Sequence, residues 1–189
     1  PYTSPYSLWT VGIPQKDYAN RVLETADLLI CVGYDIVEYA PQRINPTRKT
    51  PILHINTTPA HINKHYQTVC EVVGDISDSL HRITLRTHRT QEPTAALAIR
   101  EQLVAEHESY AADASFPMKP QRVLIDVRKA MRPGDILLSD VGAHKMWIAR
   151  HYNCYKPKTC LISNGFATMG FSLPGALAAK LVSPDKRVL

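Results

Sequence analysis

Three short apolar segments in the first half of the chain constrain its fold more than any other feature. Residues 26–33 form a largely apolar run that closes on glycine, and residues 51–56 and 71–75 repeat the pattern. Such runs are typical of strands buried on both faces of a parallel sheet. Segments that predict helices alternate with these runs, at residues 17–25, 58–66 and 76–84. Strands that alternate with helices predict a doubly wound parallel sheet.

The second half repeats this alternation after a change in character. Residues 87–115 are first polar and then rich in Ala and Glu, which predicts a linker with a helix over about 94–112. Beyond the linker, strands are predicted at 136–141 and 160–163, with a short third one at 187–189, and helices at 120–131, 144–151 and 171–181. The predicted fold class is therefore α/β, with two partial doubly wound parallel-sheet units joined by a helical linker. The predicted domains are residues 1–86, 87–115 and 116–189.

The composition narrows the possible partners. The formal net charge is +5, but the 22 Lys and Arg residues are scattered among 17 Asp and Glu residues and form no stripe, so nucleic-acid binding is not expected. No apolar stretch is long enough to predict a membrane span. The four cysteines, Cys31, Cys70, Cys154 and Cys160, contain no CxxC pair, which favours reduced thiols in a cytoplasmic protein over a zinc site or a disulfide framework.

Two strand-to-helix turns hold the residues that could carry chemistry. In the first, residues 140–144, Gly142 permits close approach of the backbone, and free N–H groups at a helix start attract phosphate. In the second, residues 163–170, two glycines flank Met169, whose side chain could support a flat heterocycle. Plainer alternatives stay open at this point: an ordinary helix-entry turn in the first case, and a methionine that fills a core gap in the second.

Three further patterns give weaker signals. No GxGxxG fingerprint follows a predicted strand, which argues against a dinucleotide site. His61 and His65 lie four residues apart on a predicted helix, as metal ligands can, but no third ligand is near in sequence. Ser139, Asp140 and His144 are the residue types of a hydrolase triad, but the chain has no GxSxG elbow.

Together the two turns resemble the start of the C-terminal cofactor domain of acetolactate synthases, which depend on thiamine diphosphate. The segments that carry this resemblance, in matching order and spacing, are residues 139–150, 163–165, 168–170, 173–174 and 178–180. The upstream part of the chain resembles the end of the central domain of the same enzymes. The segments that carry this second resemblance are residues 32–39, 52–55 and 73–75. The resemblance thus extends over essentially the whole chain.

The resemblance implies an enzyme that condenses two pyruvates to 2-acetolactate and releases CO2 through a hydroxyethyl carbanion on thiamine diphosphate. It also implies Mg²⁺ and a homo-oligomer, either a dimer or a tetramer. The family's magnesium motif would follow Leu189, and its catalytic glutamate belongs to an N-terminal domain, so the chain by itself is expected to be an inactive internal fragment. Two alternatives remain: another thiamine-diphosphate-dependent 2-oxo acid decarboxylase or carboligase, and a non-catalytic nucleotide- or flavin-binding module.

The resemblance also implies roles for individual residues. The implied cofactor-binding residues are Val141, Gly142, Ala143, His144, Ala167 and Met169. The first four match the segment that contacts the diphosphate, and Met169 matches the residue that props the thiazolium ring. The carbonyl of Ala167 and the N–H of Met169 would bond the aminopyrimidine. FAD is not expected, because residues 34–39 replace the arginine-containing segment of flavin-binding relatives and look like the catabolic type.

Overall fold

The chain folds into two compact units that each contain parallel strands and helices. The computed structural model describes residues 2–11, 17–37, 39–61, 63–88, 94–164 and 166–189. Contacts group Gly12–Ala95 into one unit, here called the N-terminal unit, and Pro1–Val11 with Ala96–Leu189 into another, called the C-terminal unit. The predicted α/β fold class is confirmed, and the domain boundaries at residues 86 and 116 stay a prediction.

The N-terminal unit is built on a three-stranded parallel sheet in the order β1-β2-β3. Its strands are β1 (Leu29–Val32), β2 (Ile52–Asn56) and β3 (Thr68–Val73). A 3₁₀ turn over Tyr18–Asn20 leads into helix α1 (Arg21–Thr25), and α2 (Pro41–Ile44) and α3 (Ile76–Thr84) complete the unit. The carboxylate of Asp75 caps α3 by accepting the N–H of Asp78 at 2.7 Å, which fixes where the chain turns from strand to helix.

The main core cluster of this unit lies on one face of the sheet, and Ile55 of β2 is buried on the other face. The cluster consists of Leu29, Ile52 and Tyr66. The prediction that the first apolar run is buried on both faces is wrong, because Ile30 is 56% exposed and Val32 is 42% exposed. Successive side chains of a strand point to opposite faces, so only alternate residues of β1 reach this core.

The helix predicted over residues 58–66 is also wrong. Thr58 and Pro59 form an N-cap and first-turn proline signal, yet the described residues of this segment form bends and a turn closed by a bridge between Asn63 and Tyr66. The carboxylate of Glu71 accepts the Ala60 N–H at 3.1 Å, and the N–H of Tyr66 donates to the Asn63 carbonyl at 2.8 Å. Bonds outside the helical i, i−4 pattern therefore take the backbone groups that a helix would use.

The C-terminal unit contains a second parallel pair, formed by β4 (Leu137–Ser139) and β5 (Cys160–Ile162). The last residues run beside β4 as a further parallel neighbour, because the Ile136 N–H donates to the Arg187 carbonyl at 2.9 Å and the Leu138 N–H to the Leu189 carbonyl at 2.8 Å. The helices are α4 (Thr94–Ala111), α5 (Pro120–Ala130), α6 (His144–His151) and α7 (Ser172–Val182). None of the helices in the described ranges is both long and apolar enough to span a membrane.

An arginine is built into the core of the C-terminal unit. Leu137, Ile148 and Tyr152 form its apolar centre, and the guanidinium of Arg128 lies 4.9 Å from the centroid of the Tyr152 ring. Arg128 also donates to the Tyr152 hydroxyl at 2.8 Å, so its buried charge has partners. The buried residues of α5 are Ile125 and Arg128, whereas Val123 is 42% exposed.

Residues 2–11 are attached to α4 and α6 through an aromatic ladder, defined as Tyr2, Trp9, Arg100, His107 and His151. Tyr2 stacks on Trp9 with ring centroids 4.8 Å apart, and Arg100 lies over Trp9 at 4.5 Å. His107 meets Trp9 edge-on at 5.7 Å and stacks on His151 at 6.2 Å. This segment is therefore an integral part of the C-terminal unit.

Candidate functional site

Asp140 joins the two turns that the sequence singled out. It follows β4, and its carboxylate accepts the N–H of Val141 at 2.7 Å in its own turn. The same carboxylate accepts the N–H of Gly170 at 2.9 and 3.0 Å, and both the N–H and the hydroxyl of Ser172 at 3.2 and 2.9 Å. One side chain thus holds residues 140–144 next to the end of the second turn and the start of α7.

These hydrogen bonds keep Asp140 ionised. The N–H of Val141 has the largest effect, and with the donors of Ser172 and Gly170 it outweighs desolvation and lowers the pKa of Asp140 to about 2. Four donors directed at one carboxylate favour its charged form. The connection between the turns is therefore a set of charge-assisted hydrogen bonds, which are stronger than neutral ones.

Gly142 has a backbone conformation that other residues rarely adopt. Its φ is +148°, and a Cβ atom added there would lie 2.9 Å from both Cε1 and Nδ1 of His144. The His144 ring folds back over this turn, with Nε2 3.0 Å from the carbonyl oxygen of Asp140. Only glycine leaves room for the ring in this position.

The start of α6 has no capping side chain. Ala143 is the N-cap residue and its side chain makes no capping hydrogen bond, and the first turn of α6 contains no acidic residue. The carbonyls of Gly142 and Ala143 accept the N–H groups of Lys145 and Met146 at 3.2 and 3.0 Å. The positive end of the helix dipole at α6 is thus not neutralised by a first-turn carboxylate, which suits an anionic ligand.

The second turn presents its methionine outwards. Met169 is 82% exposed, so the interpretation of this residue as a filler of a core gap is wrong. Ala167 has a φ of +47°, in the left-handed region that few non-glycine residues occupy. The turn therefore combines a strained backbone with an exposed, polarisable side chain, while Asp140 fixes its end at Gly170.

Helix α7 approaches the sheet closely beyond this turn. A Cβ atom added to Gly175 would lie 2.7 Å from Cδ2 of Leu138 and 3.5 Å from the Phe171 ring. The glycine thus allows the helix to lie directly against β4. This packing and the bonds of Asp140 together fix the C-terminal end of the second turn.

The geometry excludes two of the weaker patterns. The Ser139 hydroxyl donates to the backbone carbonyl of Asp140 at 3.0 Å, and the carboxylate of Asp140 is occupied by amide and hydroxyl donors, so no triad is formed. His65 lies on a turn, with Nδ1 3.1 Å from the Asn45 carbonyl. Within the described ranges no three His, Cys, Asp or Glu side chains are grouped to hold a metal ion.

The joining role of Asp140 was not predicted from sequence. Its partners lie 30 and 32 residues further along the chain, beyond the reach of any local pattern. The available signal was an aspartate directly after a buried strand and a serine at the first position of a later helix, a combination that only a parallel arrangement of the two elements brings together.

The corresponding edge of the N-terminal unit is closed by its own side chains. The cavity there has a volume of about 60 Å³, small beside the roughly 300–1,000 Å³ of ligand pockets. Nδ1 of the buried His54 lies 2.8 Å from the Tyr66 hydroxyl, Tyr34 stacks on Tyr66 at 4.8 Å, and Asn56 donates to the Tyr34 carbonyl at 3.2 Å. The polar groups at this edge are thus hydrogen-bonded mainly to one another.

Two family models match the chain on either side of the long helix. The model described as "Thiamine pyrophosphate enzyme, central domain" matches residues 1–83. The model described as "Thiamine pyrophosphate enzyme, C-terminal TPP binding domain" matches residues 140–189, which include both turns and Asp140. The two models occur in the order that the sequence predicted.

The curated relatives carry consistent names. The chain is 30% identical over 95% of its length to "Acetolactate synthase" of Bacillus subtilis (strain 168), and 33% identical over 95% to "Acetolactate synthase, catabolic" of Raoultella terrigena. It is 32% identical over 97% to "Acetolactate synthase large subunit" of Parasynechococcus marenigrum (strain WH8102). It spans 32%, 33% and 30% of these proteins, about a third of their length. From the two family models and these relatives, the chain belongs to the thiamine pyrophosphate enzyme family.

Proposed function

We propose that the protein containing this chain is an acetolactate synthase, a transferase that joins two pyruvates to 2-acetolactate with release of CO2. In this proposal the chain supplies part of the thiamine pyrophosphate pocket. The observation that carries it is the Asp140 carboxylate, which holds the turn at Gly142 and the turn at Met169 together through Val141, Gly170 and Ser172. The names of the relatives, matched over nearly the whole chain, support the choice of reaction.

The first turn fits a diphosphate. Val141, Gly142, Ala143 and His144 would hold it. The start of α6 has no capping side chain and favours negative charge, and Gly142 gives this turn its backbone conformation. Mg²⁺ is proposed as the counter-ion, because hard divalent cations commonly accompany bound phosphates. We assign none of the described residues as a ligand of this ion.

The second turn fits the ring system. The exposed Met169 side chain would support it from one side, and the carbonyl of Ala167 and the N–H of Met169 would contact the aminopyrimidine. Thiamine pyrophosphate supplies an electron sink for loss of CO2 from a 2-oxo acid, and the chain's residues supply orientation. Asp140 would set the spacing between the groups that hold the two ends of the cofactor, because it bonds to both turns.

We further propose that the enzyme is of the FAD-independent type, as a homo-oligomer in the cytoplasm. The FAD-independent part of the proposal rests on residues 34–39, which stand where flavin-binding relatives have an arginine-containing segment. The four free cysteines are in keeping with a reducing compartment. The homo-oligomer rests on the resemblance to acetolactate synthases.

Product analysis tests the reaction. The protein that contains this chain is incubated with pyruvate as the sole substrate, thiamine pyrophosphate and Mg²⁺, and the products are separated. We expect 2-acetolactate and CO2. Acetaldehyde without acetolactate would instead indicate a decarboxylase, and no consumption of pyruvate would contradict the proposal.

A matched pair of variants tests the site. In Asp140→Asn one carboxylate oxygen becomes an NH2 group, which faces the N–H and hydroxyl donors that the carboxylate had accepted. We expect the thiamine pyrophosphate concentration for half-maximal activity to rise about 10- to 100-fold, as for other residues that orient ligand-binding groups. Asp126→Asn removes a carboxylate of an α5 ion pair with Arg122 and should change this concentration less than about twofold.

A further inference from the structure

A cavity lies within the C-terminal unit, where residues 2–10 meet the end of α6. Its volume is about 270 Å³, and all the residues that line it belong to this one unit. Tyr2, Trp9 and Tyr152 supply aromatic surface to the lining, and Arg150 supplies a positive charge. None of the lining residues lies in the turns at residues 140–144 and 163–170. The cavity is therefore built from residues that the proposed function leaves unused.

The volume of this cavity limits the size of its ligand. A dry cavity of about 150 Å³ binds benzene, so about 270 Å³ has room for one aromatic ring with a short substituent. Pockets that bury drug-sized ligands measure roughly 300–1,000 Å³. A nucleotide or a complete cofactor is therefore too large, whereas a small molecule with a single ring fits.

Two aromatic side chains offer a preformed surface for such a ring. Tyr2 stacks on Trp9 with ring centroids 4.8 Å apart, and the guanidinium of Arg100 lies 5.4 Å from the Tyr2 centroid and 4.5 Å from the Trp9 centroid. These contacts hold both rings in place without a ligand, which lowers the entropic cost of binding. An aromatic ligand would extend the stack or meet it edge-on, the two arrangements that aromatic pairs prefer.

Trp9 has two further features that are common at binding sites. Its φ is +59°, in the left-handed region that a bulky residue rarely adopts, and backbone strain of this kind is concentrated at functional sites. Its indole N–H is buried and has no hydrogen-bond partner among the described residues. A buried donor without a partner costs free energy, and an oxygen atom of a ligand would satisfy it.

Arg150 gives the cavity a preference for anions. The residue is only 8% exposed, and one of its amino groups donates to the Thr10 carbonyl at 3.4 Å. A guanidinium has five N–H donors in a planar fork, so it can bind a carboxylate in addition to this carbonyl. None of the described residues that line the cavity is acidic, and burial raises the pKa of Tyr2, so its hydroxyl stays neutral.

We propose that this cavity binds a small aromatic carboxylate, whose ring lies against Tyr2 and Trp9 and whose carboxylate bonds to Arg150. The ring follows from the aromatic lining, the charge from the buried guanidinium, and the size from the volume of the cavity. This inference goes beyond the proposed acetolactate synthase activity and does not depend on it, because it uses neither of the two turns.

Fluorine NMR with 4-fluorobenzoate as the probe tests the proposal. The protein that contains this chain is saturated with thiamine pyrophosphate and Mg²⁺ and titrated at pH 6. At this pH Cys154 in the lining is largely a thiol, because its neighbour Cys160 lowers its pKa only to about 7. We expect saturable binding with a Kd of about 0.1–1 mM.

Two further probes separate the ring from the charge. 4-Fluorobenzamide keeps the ring but is neutral, and fluoroacetate keeps the charge but has no ring. Each should bind at least about tenfold more weakly than 4-fluorobenzoate, since the first loses the charge-assisted hydrogen bonds and the second loses the aromatic contact.

A matched pair of variants locates the probe. Ala149→Leu adds three carbon atoms to a residue of the lining and leaves Arg150 in place, so it should weaken binding of 4-fluorobenzoate about 10-fold or more. Ala105→Leu adds the same side chain at an exposed position of α4 and should leave the Kd unchanged. Circular dichroism confirms that both variants are folded.

Arg150→Met tests the charge. It keeps an unbranched side chain of similar length but has no donors, and it should weaken binding of 4-fluorobenzoate about 10- to 100-fold and remove its advantage over 4-fluorobenzamide. If this variant does not fold, the Ala149→Leu and Ala105→Leu pair still decides the question.

Several outcomes would overturn the proposal. These are a titration of 4-fluorobenzoate that does not saturate, equal affinities for 4-fluorobenzoate and 4-fluorobenzamide, and an affinity that Ala149→Leu leaves unchanged. Displacement of the probe by pyruvate would also overturn it, because the probe would then occupy the site of the reaction. None of these readouts measures turnover, so their failure would leave the proposed acetolactate synthase activity untouched.

Discussion

The two parallel sheets of this chain end in different ways at their carboxyl edges. In the N-terminal unit the polar groups at this edge bond to one another, as His54 does with Tyr66 and Asn56 with Tyr34. In the C-terminal unit the single carboxylate of Asp140 collects donors from two turns. The first arrangement leaves few polar groups at the edge available to a ligand. The second fixes two turns and leaves their other backbone and side-chain groups available, so the same strand-and-helix pattern can serve structure in one unit and ligand binding in the other.

The largest expected effect concerns the closed edge. Tyr66 is 1% exposed, so Tyr66→Ala should lower the free energy of unfolding by about 3–5 kcal/mol. Tyr66→Phe keeps the ring but leaves Nδ1 of His54 without its partner, and it should lower this free energy by about 1–3 kcal/mol. Urea titration followed by circular dichroism measures both values. Neither variant should change the affinity of the folded protein for thiamine pyrophosphate, and a large change would contradict the purely structural role of this edge.

A glycine pair probes the open edge. Gly142→Ala places a Cβ 2.9 Å from the His144 ring at a φ of +148°, and it should lower the free energy of unfolding by about 1–3 kcal/mol. It should also weaken binding of thiamine pyrophosphate. In Gly134→Ala the added Cβ meets only the Lys156 side chain at 3.9 Å, so the change should be within about 0.5 kcal/mol. Equal effects of the two substitutions would show that the turn at Gly142 has no special geometry.

Acid should weaken the C-terminal unit through the aromatic ladder. Burial lowers the pKa of His151 to about 4, with His107 and Arg150 acting in the same direction. An unfolded histidine has a pKa of about 6.5, so the stability that the neutral ring provides is complete above that pH and is lost as the pH falls towards 4. We expect a loss of about 1–2 kcal/mol over this range after allowance for solvent screening.

Tryptophan fluorescence is a suitable measurement for this effect, because Trp9 and Trp147 are the only tryptophans and both belong to the C-terminal unit. Urea midpoints are recorded at pH 7, 6, 5 and 4 for the parent protein and for His151→Gln. The variant should be less stable at neutral pH but have a flatter pH dependence. The same slope in both proteins would contradict the assignment to His151.

The smallest effect on stability is expected at Met169. Its side chain is 82% exposed, so Met169→Ala should change the free energy of unfolding by less than about 0.5 kcal/mol. The same is expected for Met118→Ala, whose methionine is 58% exposed. Only Met169→Ala should raise the thiamine pyrophosphate concentration needed for half-maximal activity. If both variants leave it unchanged, Met169 does not support the cofactor.

Local patterns predicted most of the elements. The helix predicted at 144–151 coincides with α6, and the strands at 51–56 and 160–163 agree with β2 and β5 to within one residue at each end. These segments follow their own periodicity and end at turn residues. The helix predicted after Thr58 failed, because Glu71 and Asn63 provide hydrogen-bond partners outside the helical pattern. Propensity is a weak predictor when contacts of this kind compete with it.

The candidate site was likewise predicted only in part from the sequence. The sequence predicts the two turns from glycines placed between a strand and a helix. It does not predict that Asp140 joins them, since Gly170 and Ser172 are 30 and 32 residues away. It also does not predict that Met169 is exposed, because burial depends on neighbours that no local window contains.

The direct bonds from Asp140 to Gly170 and Ser172 have a consequence for natural and engineered variation. The distance between the two turns is therefore set by these bonds and does not depend on the length of the intervening segment, which includes α6 and β5. Insertions or deletions in its surface loop at residues 155–158 should therefore be tolerated, provided that the aspartate and its two amide donors are retained. This loop is thus the natural place to graft a tag or a reporter.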